Sequence, residues 1–254
     1  MNQTFTITFG DQAENHKGMQ KIGNLSLNGF SYDDLKNAKL WFENKGAKTE
    51  LILLNELLDK DDCNEKAYLL IIRKGLDSIL ENKGTSDDFY KEQDLLEKDK
   101  KAFMYGRVVN KHARHNLCFS DFDQEPNYEE KKGRIINFNK LPLLEYVRNK
   151  LFDIFGDCGK NLLGEANYYF NEKCGIGWHG DSERKKVIGI RCGKTMPLLF
   201  HWFHKNEKIG KLFKIDLNHG DIYVMSEKTT GCDWKCSKLY TLRHSAGSEK
   251  YTKL

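Results

Sequence analysis

The chain opens with an alternating apolar and polar stretch, "TFTITF" (4–9), whose period of two and β-branched residues predict a strand. The spacing then changes. In "SYDDLKNAKLWFENKG" (31–46) apolar residues recur three and four apart at Leu35, Ala38, Trp41 and Phe42. Ser31 stands as an N-cap and Gly46 as a stop, which predicts a helix. "ELILLNELL" (50–58) and "AYLLIIRKG" (67–75) are short apolar runs, the second reading as a buried strand. The polar "GDQAENHKGM" (10–19) follows a strand and could be a site, with a surface turn as the favoured reading. Residues 1–90 therefore predict a small α/β unit without chemistry of its own, and the charged "KEQDLLEKDKKAF" (91–103) predicts a helix at its boundary.

Beyond that boundary the pattern breaks into short strand-like segments: "GRIINFNKLP", "EANYYF", "KVIGIRCG", "PLLFHWFH", "KLFKIDL" and "DIYVMS". One helix interrupts them, "PLLEYVRNKLFDIFG" (142–156), with proline in its first turn and glycine at its end. Short strands at this spacing predict a sandwich or barrel over residues 91–254 rather than a parallel sheet.

Composition narrows the classes. With 254 residues and 39% hydrophobic content the chain can bury a substantial core. A net charge of +4, from mixed signs, excludes an overwhelmingly basic nucleic-acid binder but not a locally basic face. Met1 is not followed by a signal-peptide pattern, and no apolar run nears the roughly 20 residues that span a membrane. Seven scattered cysteines fit reduced thiols, so an intracellular protein of cytoplasm or nucleus is expected.

The triplet His-Gly-Asp occurs twice. His219-Gly220-Asp221 lies between two alternating segments, where a tight turn accounts for glycine and aspartate. No turn requires His179 in "GWHGDSE", and His179 and Asp181 leave a strand end with side chains on one side. An imidazole and a carboxylate so placed are two thirds of the 2-His-1-carboxylate set that holds non-haem Fe(II). His201 and His204 face opposite sides of their strand, and either is accommodated as an ordinary partly buried residue; His244 remains as the third candidate.

"NYYFNEKCGIGWHGD" resembles the Asn-x-Tyr…His-x-Asp signature of the AlkB-like Fe(II)/2-oxoglutarate dioxygenases, and "LNHGDIYVM" resembles a following strand. "YGRVVNKHARHNLCF" (105–119) resembles the stretch that contributes to their substrate lid. The resemblance covers about residues 100–254. It implies an α+β protein with a double-stranded β-helix (jelly-roll) core, the small N-terminal unit preceding it. It also implies Fe(II) on His179, Asp181 and His244, 2-oxoglutarate held by Asn167 and Tyr169, and O2 as oxidant. The family's closing Arg-x-Asn-x-Thr-x-Arg is missing. Cys236 is an alternative distal ligand, which would leave Arg243 as the closing arginine, but a thiolate suits Fe(II) less well.

A basic residue about nine positions after the distal histidine is what the wider superfamily implies for the remote carboxylate of 2-oxoglutarate. If the last segment is a strand, that residue is Lys253, with Lys250, Arg243 and Arg191 as alternatives. For the substrate, Tyr105, Arg107, Lys111 and Arg114 lie in a basic, aromatic stretch suited to phosphates and a stacked base. Oxidative demethylation or hydroxylation of nucleic-acid bases is the leading expectation. A dioxygenase of protein side chains and a non-catalytic cupin-like binding protein are the alternatives.

Overall fold

The first strand, β1 (Thr4–Gly10), is buried at every position. It lies in the middle of a sheet built from both halves of the chain. The structure is a computed structural model and describes residues 3–60 and 63–253. After β1 come a small hairpin, β2 (Gln12–Glu14) and β3 (Lys21–Gly23), then α1 (Tyr32–Glu43), β4 (Thr49–Leu53) and β5 (Tyr68–Ile72). Helices α2 (Gly75–Leu80) and α3 (Ser86–Asp94) lead to a second hairpin, β6 (Lys101–Met104) and β7 (Arg107–Asn110). Strands β8 (His115–Ser120) and β9 (Ile135–Asn137) precede α4 (Pro142–Phe155). The rest is β10 (Leu163–Tyr169), β11 (Gly175–His179), β12 (Val187–Gly193), β13 (Met196–His204), β14 (Glu207–Leu217), β15 (Ile222–Met225), the turn helix α5 (Glu227–Thr230), β16 (Thr241–Gly247) and α6 (Glu249–Thr252).

Eight strands form one sheet in the order β4-β5-β15-β12-β1-β10-β8-β9, and four form a second in the order β11-β16-β13-β14. The protein is thus α+β and dominated by sheet. The expected division at residue 90 does not divide the sheet: β1, β4 and β5 come from before it, and β1 pairs with β10 on one side and β12 on the other. The strand's own pattern explains this. Phe5, Ile7 and Phe9 enter the core beneath helices α1–α4, each burial contributing roughly 1.5–3 kcal/mol, while the threonines face the opposite way. A second core between the two sheets includes Tyr169, Val187, Phe200, Trp202, Met225 and Leu242.

From β10 onward the chain alternates between the sheets: β10 large, β11 small, β12 large, β13 and β14 small, β15 large, β16 small. The next strand in that alternation belongs in the large sheet, and the place between β10 and β12 is taken by β1. The ends agree. Thr4 opens β1 opposite Tyr169, and Gly247 closes β16 opposite Gly175, so one end of the sandwich holds both.

Local signals acted as the sequence predicts in α1, where Ser31 and Asp34 form a capping box, and in α4, with Pro142 in its first turn and Gly156 at its cap. Of the helix expected over 91–103, only residues 91–94 are helical, as the last turn of α3. Thr85 and Asp88 cap α3 earlier, and Asp94 ends it. The last segment also departs from expectation. Gly247 adopts φ +99°, which ends β16, and Ser248 caps α6. Among the described residues no helix is long and apolar enough to cross a membrane.

Candidate metal centre

His179 ends β11 and His244 lies directly opposite it on β16, so backbone pairing sets the two rings side by side with centroids 4.4 Å apart. Asp181 follows two residues later, its amide held by the Thr230 carbonyl at 2.9 Å. Glycine between them is required: a Cβ on Gly180 would stand 2.1 Å from the Gly231 oxygen. Both histidine Nε2 atoms lie 3.6 Å from Asp181 Oδ1. The three donor atoms all fall within 4.8 Å of one another.

The protonation states suit a cation. His179 Nδ1 sits 2.7 Å from the Gly177 carbonyl and donates to it, which turns the Nε2 lone pair toward the cluster. Burial, aided by His244, pushes the His179 imidazole down to about 3, so it is neutral at physiological pH. Burial works against the Asp181 carboxylate, but His244, Arg184 and His179 outweigh it and hold the carboxyl below its usual range. A neutral imidazole beside an ionised carboxylate is the state that binds a divalent metal.

The second triplet is structural. Asp221 accepts from the Arg73 guanidinium at 2.6 Å and from the Lys74 and Asn218 amides, and His219 Nδ1 accepts the Gly193 amide. His201, His204 and Cys236 lie outside the cluster, Cys236 being exposed.

The triad opens into a cavity of about 730 Å³ that also contains Arg191, Thr6, Tyr169 and Tyr223. Arg191, on β12 directly across from Thr6 of β1, is 1% exposed. Its Nε and Nη1 have no partner, nor has Thr6 Oγ1. Asn167 lines the wall, its Oδ1 accepting from Arg114 Nε at 2.6 Å and Asn116 Nδ2 at 2.8 Å. Two of the expected anchors are elsewhere. Lys253 is exposed beyond α6, because the strand that was to carry it stops at Gly247. Arg243 points away from the cavity, its guanidinium over the Phe203 ring at 4.1 Å and bonded to Asn206.

The candidate substrate residues also separate. Arg114 lines the cavity, Arg107 is exposed in β7, and Tyr105 is 89% exposed at the tip of the β6–β7 hairpin. Lys111 is buried and bonded to Asn15 and Asn116, so it is not a phosphate contact. The loop favoured as a surface turn proves to be the less favoured alternative, part of the candidate site: Glu14 at the end of β2 and His16, Lys17 and Met19 after it line the cavity wall. Nothing in its local pattern marks that role, because its position comes from β1.

No family model matches the chain. It is 48% identical to the "Uncharacterized protein R156" of Acanthamoeba polyphaga mimivirus over 256 residues, covering all of this chain and 99% of that protein.

Proposed function

The chain belongs to the family of that mimivirus protein, and we propose that it is an Fe(II)- and 2-oxoglutarate-dependent dioxygenase. The observation that carries this reading is the convergence of His179, Asp181 and His244 in a cavity that also holds an unpaired arginine. Two imidazoles and one carboxylate suit Fe(II) and leave open positions on it. When bound, the iron and 2-oxoglutarate would supply O2 activation and the oxidation of an unreactive C–H bond, with succinate and CO2 as by-products.

The chain's own residues divide the remaining work. Arg191 and Thr6 offer three unpartnered polar atoms to the remote carboxylate of the co-substrate. Asn167 retains one amide hydrogen beyond its bond to Glu165, and Tyr169 closes the same wall. Trp178 and Trp234 flank the cavity and limit water.

The strand alternation supports a double-stranded β-helix in which β1 takes the eighth place, although it comes from the other end of the chain. That explains why no closing arginine follows His244. The strand expected to carry it is β1, which brings Thr6 and Thr8 into the cavity, and Arg191 of the adjacent β12 supplies the charge.

For the substrate we favour a modified base in a nucleic-acid strand. A groove of about 930 Å³ shares His16 and Arg114 with the metal cavity and carries Lys101, Arg107 and His112. Cations along such a groove meet phosphates while one base enters the cavity. The test is succinate formation that requires both O2 and Fe(II), measured with N-methylated oligonucleotides and with methylated peptides. No turnover of 2-oxoglutarate by the wild-type protein under any of these conditions would overturn the dioxygenase reading. Stimulation by peptides alone would overturn the nucleic-acid part.

A further inference from the structure

A continuous chain of buried polar groups runs beside the metal cavity. Asp99, 1% exposed, accepts from Asn15 Nδ2 at 2.7 Å, Tyr128 Oη at 2.7 Å and the Arg134 amide at 2.6 Å. Asn15, in the β2–β3 turn, accepts from Lys111 Nζ at 2.7 Å. Lys111 Nζ also donates to Asn116 Oδ1 at 2.9 Å, and Asn116 Nδ2 donates to Asn167 Oδ1 at 2.8 Å. Asn167 Nδ2 then donates to Glu165, which is ion-paired with Arg184. Lys111 thus stands where the turn that walls the cavity meets the strand pair that carries Asn167.

We propose that Lys111 is a positioning residue: it fixes the β2–β3 turn over the metal cavity and sets the amide of Asn167 for the co-substrate. Three features carry this. Lys111 is 7% exposed, so solvent is a poor substitute for its partners. Both partners are amide oxygens that would be left buried and unpaired without it, a cost greater than that of breaking an ordinary surface hydrogen bond. Lys111 ties the turn to β8 through Asn116, whereas the turn's other bonds to the body run from Asn15 to Asp99, from the Glu14 amide to Glu165, and from Gln20 to Lys131 and Gln124. The part concerning Asn167 rests on the co-substrate reading above; the part concerning the turn does not.

The charge of Lys111 gives a distinctive signature. Its facing groups are Asp99, Glu165, Arg114, His16, His115 and Cys118, and His115, like His16, is held down to about 4, by burial first. Burial, only partly offset by Asp99, brings the ammonium down to about 8. Among its neighbours, burial and nearby cations hold His16 at about 4, and complete burial pushes the Cys118 thiol up, so neither titrates near pH 8.

The test uses the whole chain and the variants Lys111→Met, which keeps the stem but not the donors, and Asn15→Ala, which cuts the turn's side-chain bonds to both Lys111 and Asp99 while leaving Lys111 on Asn116. Amide hydrogen exchange over residues 11–23 should rise at least tenfold in both. The affinity for 2-oxoglutarate, titrated anaerobically with Mn(II), should fall about tenfold in Lys111→Met and stay within twofold in Asn15→Ala. Wild-type affinity should weaken as pH rises through about 8, and Lys111→Met should lack that step. Unchanged exchange in Lys111→Met overturns the positioning role, whatever the fate of the co-substrate reading. Faster exchange with unchanged 2-oxoglutarate affinity overturns the Asn167 part. If the wild-type protein binds no 2-oxoglutarate, the dioxygenase reading fails and the exchange data alone judge Lys111. Should Lys111→Met not fold, Asn15→Ala removes the turn-side partner of Lys111 and Asn116→Ala the strand-side partner, and normal exchange in Asn15→Ala would overturn the proposal.

Discussion

Replacing Arg191 with methionine should make the ligand-free protein more stable and the liganded site nearly useless. Arg191 is almost wholly buried, and its Nε and Nη1 face no acceptor. Asp221, a carboxylate whose charge acts on Arg191, is already committed to Arg73 at 2.6 Å. An unpaired buried charge costs several kcal/mol even after the protein relaxes around it. Methionine keeps most of the apolar stem and removes the charge, so a net gain of about 2 kcal/mol is expected, or roughly 4–8 °C in the Tm of a chain this size. On the proposed reading of the site, the same substitution removes the charge-assisted bonds that Arg191 would make to the remote carboxylate of 2-oxoglutarate. That loss, about 2–4 kcal/mol, corresponds to a roughly 30- to 1000-fold weaker Kd. Scanning fluorimetry of the metal-free protein measures the first effect, and anaerobic titration of 2-oxoglutarate with Mn(II) measures the second. The opposite signs are the point. A variant that melts lower and still binds 2-oxoglutarate normally would mean that Arg191 has a structural partner and no anion to hold.

Other outcomes follow from the same geometry. His179→Ala, Asp181→Ala and His244→Ala should each abolish Co(II) binding followed by absorption, whereas His219→Ala, remote from the cluster, should retain it; the reverse pattern would exchange the two triplets. Gln at Lys101 and Arg107 should lower the salt slope of oligonucleotide binding by about two, one for each phosphate no longer neutralised; an unchanged slope refutes the groove. His16 and His115 are both depressed to about 4, by burial first and by Lys111 and Lys100 next. A depressed folded value means that their contribution to stability is full above about 6.5 and is lost as pH falls toward 4. The Tm decline between pH 7 and pH 4.5 should therefore be shallower in His16→Asn/His115→Asn, and an identical decline would contradict the assignment. A permuted chain that starts at Asn28 and joins Lys253 through about five residues to Gln3–Leu27 should fold and bind Co(II); the natural link from Tyr169 to Gly175 crosses the same gap in residues 170–174. An insoluble or metal-free permutant would show that β1 needs its native connection.

The parts of the site that were legible in the sequence are those whose cause is local. A histidine that no turn explains, two residues before an aspartate, pointed to His179 and Asp181, and a hairpin turn accounted for His219 and Asp221. Cap residues located α1 and α4 for the same reason. Lys111 shows the limit. In a stretch that also contains Lys101, Arg107 and Arg114, charge alone does not say which cation turns inward. The answer depends on Asn15 and Asn116, which only the assembled fold brings to its amine.

That Arg191 lines the cavity and Lys253 does not has a deeper reason. Counting nine positions past His244 assumes that the strand after the distal histidine comes next in the chain. Here Gly247 ends the strand, and the neighbouring place in the large sheet is filled from the N-terminus. Strand pairing is fixed by which faces must be buried, not by chain order: Phe5, Ile7 and Phe9 find the helices, and Thr6 and Thr8 are then turned into the cavity. Once β1 occupies that place, Lys253 has no route into the cavity. The charge that the proposed co-substrate calls for then falls to a neighbour of β1 whose side chain faces the same way, and Arg191, the partner of Thr6 in register, meets both conditions.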